Sequence, residues 1–252
     1  MSTLALATRG LDKSFGSLAV ATNVTLELPR GERYALIGPN GAGKTTLINL
    51  ITGMLKPDRG QILLDSQDIT PLKPAERVRR GLVRTFQINT LFPDLNALEA
   101  VALAVCERER CSGRWWRTLP SYGAAFEEAH TILVSLELAA SCFRPTRELA
   151  YGQQRLLEIA LALAAKPAVL LLDEPAAGVP QAESAELFSV IANLSQDMTV
   201  LFIEHDMNVV FRFAKRIIVM VGGRILVEGT PQEIASDPRV REVYLGRGAR
   251  HA

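Results

Sequence analysis

The stretch that decides the fold is Gly38-Pro39-Asn40-Gly41-Ala42-Gly43-Lys44-Thr45-Thr46. The short apolar run 33–37 before it is typical of a strand, and residues 47–51 carry the apolar spacing of a helix that ends at Gly53. Strand, glycine loop and helix therefore follow one another in the order of a phosphate-binding P-loop. The alternative, a glycine-rich turn before an ordinary helix, is disfavoured by this flanking context.

The parts of this loop have separate predicted roles toward phosphate. Its glycines allow unusual backbone dihedrals and a close approach to phosphate oxygens, while successive N–H groups and the positive helix end point at the anion. Lys44 would reach the β- and γ-phosphates of a nucleotide, and Thr45 would offer its hydroxyl to Mg²⁺.

Composition predicts a folded, cytosolic chain. The sequence has 252 residues, is 48% hydrophobic and carries a formal net charge of +1, which disfavours nucleic acid as the main partner. Residues 1–21 lack the pattern of a signal peptide, and no apolar run reaches the length of a membrane span. The three cysteines, Cys106, Cys111 and Cys142, are odd in number and are interpreted as small hydrophobes rather than a disulfide or metal site.

Residues 4–28 alternate apolar and polar side chains in short runs, which predicts antiparallel strands separated at Gly10, Gly16 and Asn23. Phe15 lies in a predicted turn of this region. It is either a packing residue or the plate on which an adenine ring stacks, and the two interpretations are evenly balanced at this point.

Helices dominate residues 89–166, which predicts an inserted helical subdomain. A strand before it ends at Gln87, which is either a polar edge residue or a ligand for metal or water that moves with the following segment. The basic stretch 108–117 contains Trp115-Trp116, for which a solvated loop is slightly preferred over a membrane or partner surface.

Two further strand ends carry polar residues. Residues 168–172 predict a fully buried strand that ends in Asp173-Glu174, where α/β sheets place their ligands. A helix cap is the alternative for such a pair, but with a P-loop upstream Asp173 is predicted to hold Mg²⁺ and Glu174 to polarise the attacking water. His205 follows the buried strand 199–203 and is a candidate γ-phosphate contact rather than a structural histidine.

Residues 149–155, Leu149-Ala150-Tyr151-Gly152-Gln153-Gln154-Arg155, resemble the signature segment of ABC ATPases. The resemblance covers almost the whole chain, because Phe15, the P-loop, Gln87, the signature, Asp173-Glu174 and His205 occur in the family's order. The sequence resembles the ATP-binding subunits of branched-chain amino acid type importers more closely still, notably at 84–87, 173–178, 203–206 and 244–246.

The resemblance implies a fold and a set of ligands. The fold is α/β, a P-loop NTPase ABC-type nucleotide-binding domain over 1–252, in which 1–88 and 167–252 form the core and an antiparallel β subdomain and 89–166 the helical signature subdomain. ATP would be bound by the P-loop and by Phe15, and Mg²⁺ by Thr45, Gln87 and Asp173. Catalysis would involve Glu174 as base, with His205 and Lys44. The segment Ala150-Tyr151-Gly152-Gln153 would act in trans on ATP held by a second subunit.

The resemblance also implies partners. These are two transmembrane permease subunits, a second ABC ATPase that is a paralogue or an identical copy, and indirectly a periplasmic solute-binding protein, at the cytoplasmic face of a bacterial inner membrane. Two departures from the family pattern lead to the hypothesis that the two ATP sites are unequal: Ala150 stands where Ser is more common, and Pro180 where an acidic or amide residue is common.

Three functions are compatible with these features. The leading interpretation is an importer's ATP-hydrolysing subunit, with branched-chain amino acids as the modal solute and urea, amides or small organic acids as others. A soluble ABC ATPase without a transport role is the second, disfavoured by the single ABC domain. A nucleotide-binding regulator without turnover is the third, and Glu174 argues against it.

Overall fold

The computed structural model describes residues 3–85, 91–110 and 122–245. The strands are β1 (Leu4–Phe15), β2 (Leu18–Pro29), β3 (Arg33–Ile37), β4 (Arg59–Leu64), β5 (Gln67–Asp68), β6 (Leu82–Arg84), β7 (Val169–Asp173), β8 (Thr199–Ile203), β9 (Arg216–Val221) and β10 (Arg224–Gly229). The helices are α1 (Lys44–Thr52), α2 (Pro74–Arg79), α3 (Ala97–Arg108), α4 (Gly123–Ser135), α5 (Tyr151–Leu163), α6 (Gln181–Ala192), α7 (Met207–Phe213), α8 (Pro231–Ser236) and α9 (Pro238–Leu245). Two compact units divide the chain, one formed by Met1–Arg77 with Gln196–Ala252 and the other by Val78–Ser195.

Two long strands begin the first unit and are irregular at Gly10. β1 and β2 are antiparallel, in a sheet of order β2-β1-β4-β5. The prediction of several short strands broken at Gly10 and Asn23 is wrong, because both residues lie inside these strands, at φ of 57° and 50°. The pairing shifts register between Thr8 and Leu11, so Gly10 belongs to a β-bulge rather than to a turn.

β3 is an inner strand of the other sheet of this unit. It runs parallel to β8 on one side and to β9 on the other, and β10 pairs antiparallel with β9. All residues of β3 and β8 are buried, which confirms the strand predicted at 33–37 and the buried strand predicted at 199–203. Because β3 and β8 are parallel, the segments that follow them leave the sheet at the same edge.

A buried arginine fixes the end of the helix that follows β3. α1 ends at Gly53, whose φ of 80° only glycine adopts readily. The guanidinium of Arg77 is 2% exposed and donates hydrogen bonds to four backbone carbonyls. These belong to Leu50 (2.8 Å), Ile51 (2.6 Å), Thr70 (3.0 Å) and Leu72 (3.1 Å). Two of them lie in the last turn of α1, where a positive charge is favoured by the helix dipole.

The second unit combines a parallel strand pair with helices. β6 and β7 pair in parallel, and all five residues of β7 are buried, as predicted for this strand. α3 begins with a capping box in which Asn96 accepts from Glu99 N–H at 2.9 Å and Glu99 accepts from Asn96 N–H at 3.0 Å. Arg108 at its other end bonds Glu128 of α4 at 2.7 Å and the Ala164 carbonyl after α5 at 2.5 Å. The three helices of the predicted helical region are therefore joined to one another.

Several expectations concern boundaries. The division into 1–88 with 167–252 and 89–166 stays a prediction; in the structure, β7 and α6 belong to the same compact unit as α3, α4 and α5. Cys106 and Cys142 are buried, as expected of small hydrophobes, whereas Cys111 and Trp115-Trp116 lie outside the described residues. Within the described ranges, no helix is both long and apolar enough to span a membrane.

Candidate functional site

The P-loop stretch joins β3 to α1, as predicted. Gly38, Gly41 and Gly43 have φ of 155°, 78° and 100°, in the region that side chains disfavour. Two of them also allow a close backbone approach. A Cβ on Gly38 would lie 2.1 Å from the Met220 carbonyl oxygen, and one on Gly43 would lie 2.5 Å from that of Val20. The loop is thus pressed against β9 and β2, and only glycine fits at either position.

The N-terminus of α1 is suited to an anion. Its N-cap residue is Gly43, and among the described residues no side chain caps the helix and no acidic residue lies in its first turn. The first amides of a helix are without intrahelical partners and carry the positive end of the helix dipole. Lys44 is 7% exposed, and its ammonium donates to the carbonyls of Gly38 at 2.7 Å and Pro39 at 3.2 Å. The chain therefore folds a lysine back over the same loop whose amides can bind phosphate.

His205 follows the end of β8, at the same sheet edge as the P-loop. β8 is paired in register with β3, Ile203 opposite Leu36, so Glu204-His205 and Gly38 follow their strands at the same level. The His205 side chain is exposed, while Glu204 is buried and accepts a hydrogen bond from the His205 N–H at 3.2 Å. Of the predicted site residues in the first unit, the structure thus brings His205 and the P-loop to one sheet edge.

Phe15 ends β1 rather than lying in the turn expected for it. Its ring is 51% exposed, and the Lys13 ammonium lies 5.7 Å from the ring centroid. Lys13 is itself paired with Asp58 at 2.7 Å. An aromatic ring that is half open to solvent can accept a stacked base on its face, so the structure is compatible with the adenine role but does not assign it.

A contact that the sequence did not indicate reaches the P-loop from the C-terminal part of the chain. The phenolic oxygen of Tyr244, in α9, faces the backbone N–H of Gly38. Burial raises the pKa of Tyr244, and the Gly38 N–H opposes that rise. The first residue of the P-loop therefore lies close to the Met220 backbone and to this phenol.

Asp173, in the second unit, is buried against an arginine. Its Oδ2 lies 2.5 Å from Nη2 of Arg84, and the two side chains are 5% and 11% exposed. Arg84 ends β6 and Asp173 ends β7, and these strands are parallel neighbours, so the pair meets at the carboxyl end of both strands. Sequence reasoning missed this pair; its only signal was a charged residue in the otherwise apolar strand 82–84.

Glu174 has a strained backbone. Its φ is 49°, in the left-handed region that a residue with a Cβ enters only at a cost of about 1–2 kcal/mol. The side chain is partly exposed, whereas Asp173 beside it is buried. Strain of this kind persists where the surrounding structure enforces it, and it is concentrated at functional sites.

The signature segment Ala150-Tyr151-Gly152-Gln153 forms the start of α5, whose N-cap is Ala150. The Gln153 side chain accepts from the Ala150 N–H at 3.2 Å and donates to the Ser141 hydroxyl at 3.2 Å. Gly152 has little free space, since a Cβ there would lie 3.0 Å from Oε2 of Glu183. Pro180 is the N-cap residue of α6.

The residues described are compatible with Mg²⁺ held largely by a nucleotide. Among them, no cluster of three or more His, Cys, Asp or Glu side chains forms a metal site of its own. Mg²⁺ prefers one or two protein oxygen ligands together with phosphate oxygens and water, and in the first unit the hydroxyl of the exposed residue Thr45 is an oxygen of this kind. Gln87, the third predicted ligand, lies outside the described residues.

Two family descriptions match the sequence. The family described as "ABC transporter" matches residues 21–177, and the one described as "Branched-chain amino acid ATP-binding cassette transporter" matches residues 224–250. The second match includes α9 and Tyr244.

Individual proteins with similar sequences or structures cover nearly the whole chain. The "High-affinity branched-chain amino acid transport ATP-binding protein LivG" of Escherichia coli (strain K12) is 41% identical over 254 residues, which cover 98% of this chain and 99% of that protein. The ADP conformation of MJ1267, an ATP-binding cassette of an ABC transporter, has a TM-score of 0.83 at 33% identity and covers 96% of this chain and 99% of that one. The dimeric structure of MJ0796, a bacterial ABC transporter cassette, has a TM-score of 0.74 at 28% identity, covering 90% and 98%.

Proposed function

Because the chain belongs to the ABC transporter family and is one of its ATP-hydrolysing subunits, we propose that it drives the import of branched-chain or related amino acids. The observation that carries the proposal is the P-loop between β3 and α1. Its glycines have positive φ, and the N-terminus of α1 that follows it is suited to bind an anion. The match of residues 224–250 to the branched-chain amino acid group supports the solute class.

Each site residue receives a role in ATP hydrolysis under this proposal. Residues 38–46 hold the phosphates, with the first amides of α1 and the Lys44 ammonium neutralising their charge. Phe15 stacks on the adenine, and His205 contacts the γ-phosphate. Glu174 accepts a proton from the attacking water as the general base. The side chain of Glu174 is partly exposed, which leaves it open to a water molecule.

Mg²⁺ is the proposed cofactor, with Thr45, Asp173 and Gln87 as its ligands. When bound, it supplies positive charge against the β- and γ-phosphate oxygens. The protein would contribute the Asp173 carboxylate, which is paired with the Arg84 guanidinium.

The working assembly is proposed to be a dimer of ATP-binding subunits on two permease subunits. MJ0796, whose dimeric structure is similar to this chain, supports the dimer. In it, the segment 150–153 would act on ATP held by the opposing subunit, which is a paralogue or an identical copy. In this proposal a periplasmic solute-binding protein completes the system, and the chain would act at the cytoplasmic face of the inner membrane.

The variant Glu174→Gln tests the proposal. Replacing the carboxylate by an amide of the same shape removes the base, so hydrolysis is expected to fall by about 10²–10⁴-fold while ATP binding is retained. Hydrolysis is measured as phosphate release, and binding by titration with a fluorescent ATP analogue. Glu186→Gln, at an exposed position of α6, is the matched control and should keep wild-type activity.

Two results would contradict the proposal. Phosphate release by Glu174→Gln above a third of the wild-type rate would remove the base role. Purification of the tagged chain from its native membranes without any polytopic membrane protein, in an active state, would remove the transport role.

A further inference from the structure

The signature segment and the loop that carries Glu174 are joined by one phenol. We call residues 174–180 the Glu174 loop. The hydroxyl of Tyr151, the second residue of the signature segment, donates to the carbonyl oxygen of Ala177 at 3.2 Å. It accepts from Nη2 of Arg155 at 2.8 Å, and the same nitrogen lies 3.3 Å from the Ala177 oxygen. Two donors, the Tyr151 hydroxyl and Nη2 of Arg155, therefore converge on a single backbone carbonyl of the loop and are bonded to each other.

The partners of this carbonyl are held firmly. Arg155 is 5% exposed and paired with Glu158 at 2.8 Å, one turn further along α5. Its guanidinium carbon lies 5.1 Å from the centroid of the Tyr151 ring, within the range of a cation–π contact. Gly178 adapts the loop to the ring, because it has φ of 80° and a Cβ there would lie 3.0 Å from the Tyr151 oxygen. The loop is thus shaped to fit Tyr151.

One more hydrogen bond connects Ala177 to Glu174. Ala177, whose carbonyl receives Tyr151 and Arg155, donates its N–H to the carbonyl of Glu174 at 3.0 Å. Glu174 is the residue held at a φ of 49°, a conformation that the surroundings have to enforce. A fixed Ala177 supplies such a constraint, because it closes a turn directly on the Glu174 carbonyl.

We propose that Tyr151 is a positioning residue for Glu174, and that its hydroxyl sets the Glu174 loop from the signature segment of the same chain. The proposal rests on the proposed function, in which the signature segment serves one ATP site of a dimer and Glu174 serves the other. A movement of the signature segment when ATP binds would then shift Glu174, the base of the second site. Tyr151 is in this way a link between two ATP sites inside one subunit.

The test is Tyr151→Phe in the full-length chain, which removes only the hydroxyl. Loss of one hydrogen bond of ordinary strength corresponds to about a three- to tenfold effect, and we expect kcat for ATP to fall by that factor with KM changed less than about twofold. Tyr122→Phe, which makes the same change just before α4, is the matched control. Arg155 is not the first choice for substitution, because its buried pair with Glu158 makes misfolding the expected result.

Hydrogen exchange gives a second measurement that does not depend on activity. In Tyr151→Phe, the Ala177 amide should exchange about three- to tenfold faster, while the amides of β7 keep their wild-type protection. Acceleration in β7 as well would show general destabilisation and would overturn the positioning role.

The outcomes separate this proposal from the function on which it rests. An unchanged kcat together with unchanged exchange at Ala177 would overturn the link while leaving the ATPase assignment intact. A rise in KM that accounts for the whole effect would make Tyr151 an ATP contact instead. Wild-type protein that does not hydrolyse ATP would remove the proposed function, and the exchange measurement would still decide whether Tyr151 fixes the loop.

Discussion

The variant Arg84→Met tests how much the buried ion pair between Arg84 and Asp173 contributes to the free energy of unfolding. The two charges lie 2.5 Å apart with 11% and 5% of their side chains exposed. At an effective dielectric constant of about 20, their attraction is about 7 kcal/mol before the cost of removing both from water. Removing one partner leaves the other as an uncompensated buried charge, so Arg84→Met is expected to lower the free energy of unfolding by about 3–5 kcal/mol.

Urea unfolding followed by circular dichroism measures this loss. Arg79→Met, at an exposed position of α2, is the control and should change stability by less than about 0.5 kcal/mol. The double variant Arg84→Met with Asp173→Asn removes both charges and should recover at least half of the loss. A single-variant loss below about 1 kcal/mol, or a double variant as unstable as the sum of its parts, would refute the reasoning.

The remaining predictions concern the first unit. Burial, and next the nearby Glu228, raises the pKa of Tyr34 to about 12 from 10.0. The raised pKa of Tyr34 stabilises the folded chain fully below pH 10, and this stabilisation is lost as the pH rises through 12. The melting temperature of Tyr34→Phe should therefore fall less steeply than that of the wild type between these two pH values. An equally steep fall in both proteins would contradict this prediction. Gly38→Ala should abolish ATP binding, because its Cβ would lie 2.1 Å from the Met220 oxygen. Gly16→Ala, at φ of 59° but with nothing within 4 Å, should cost only about 1 kcal/mol and keep binding in the same titration.

The sequence predicted those parts of the molecule that depend on local pattern. The strand β3, the buried strands β7 and β8 and the P-loop were evident because continuous apolar runs and glycine spacing are properties of adjacent residues. The interior glycine of β1 was misinterpreted, because a glycine with positive φ marks a turn and a bulge equally well.

Contacts between distant parts of the chain were beyond the sequence. Arg84 and Asp173 are 89 residues apart and meet only through the register of β6 with β7. Tyr151 was assigned with its neighbours to ATP, whereas its hydroxyl is directed to the Ala177 carbonyl. The approach of Tyr244 to the Gly38 N–H likewise depends on how α9 packs. Side-chain direction and strand register are set by packing, which residue types and spacing in one sequence do not determine.

The left-handed backbone of Glu174 places stability and activity in opposition at one position. A glycine there would adopt the same φ without the steric cost, so laboratory evolution for heat resistance alone should enrich Glu174→Gly. Populations required to grow on imported solute should keep the glutamate and gain resistance elsewhere. The codon found at position 174 would therefore show whether a population had been selected for stability alone or for transport as well.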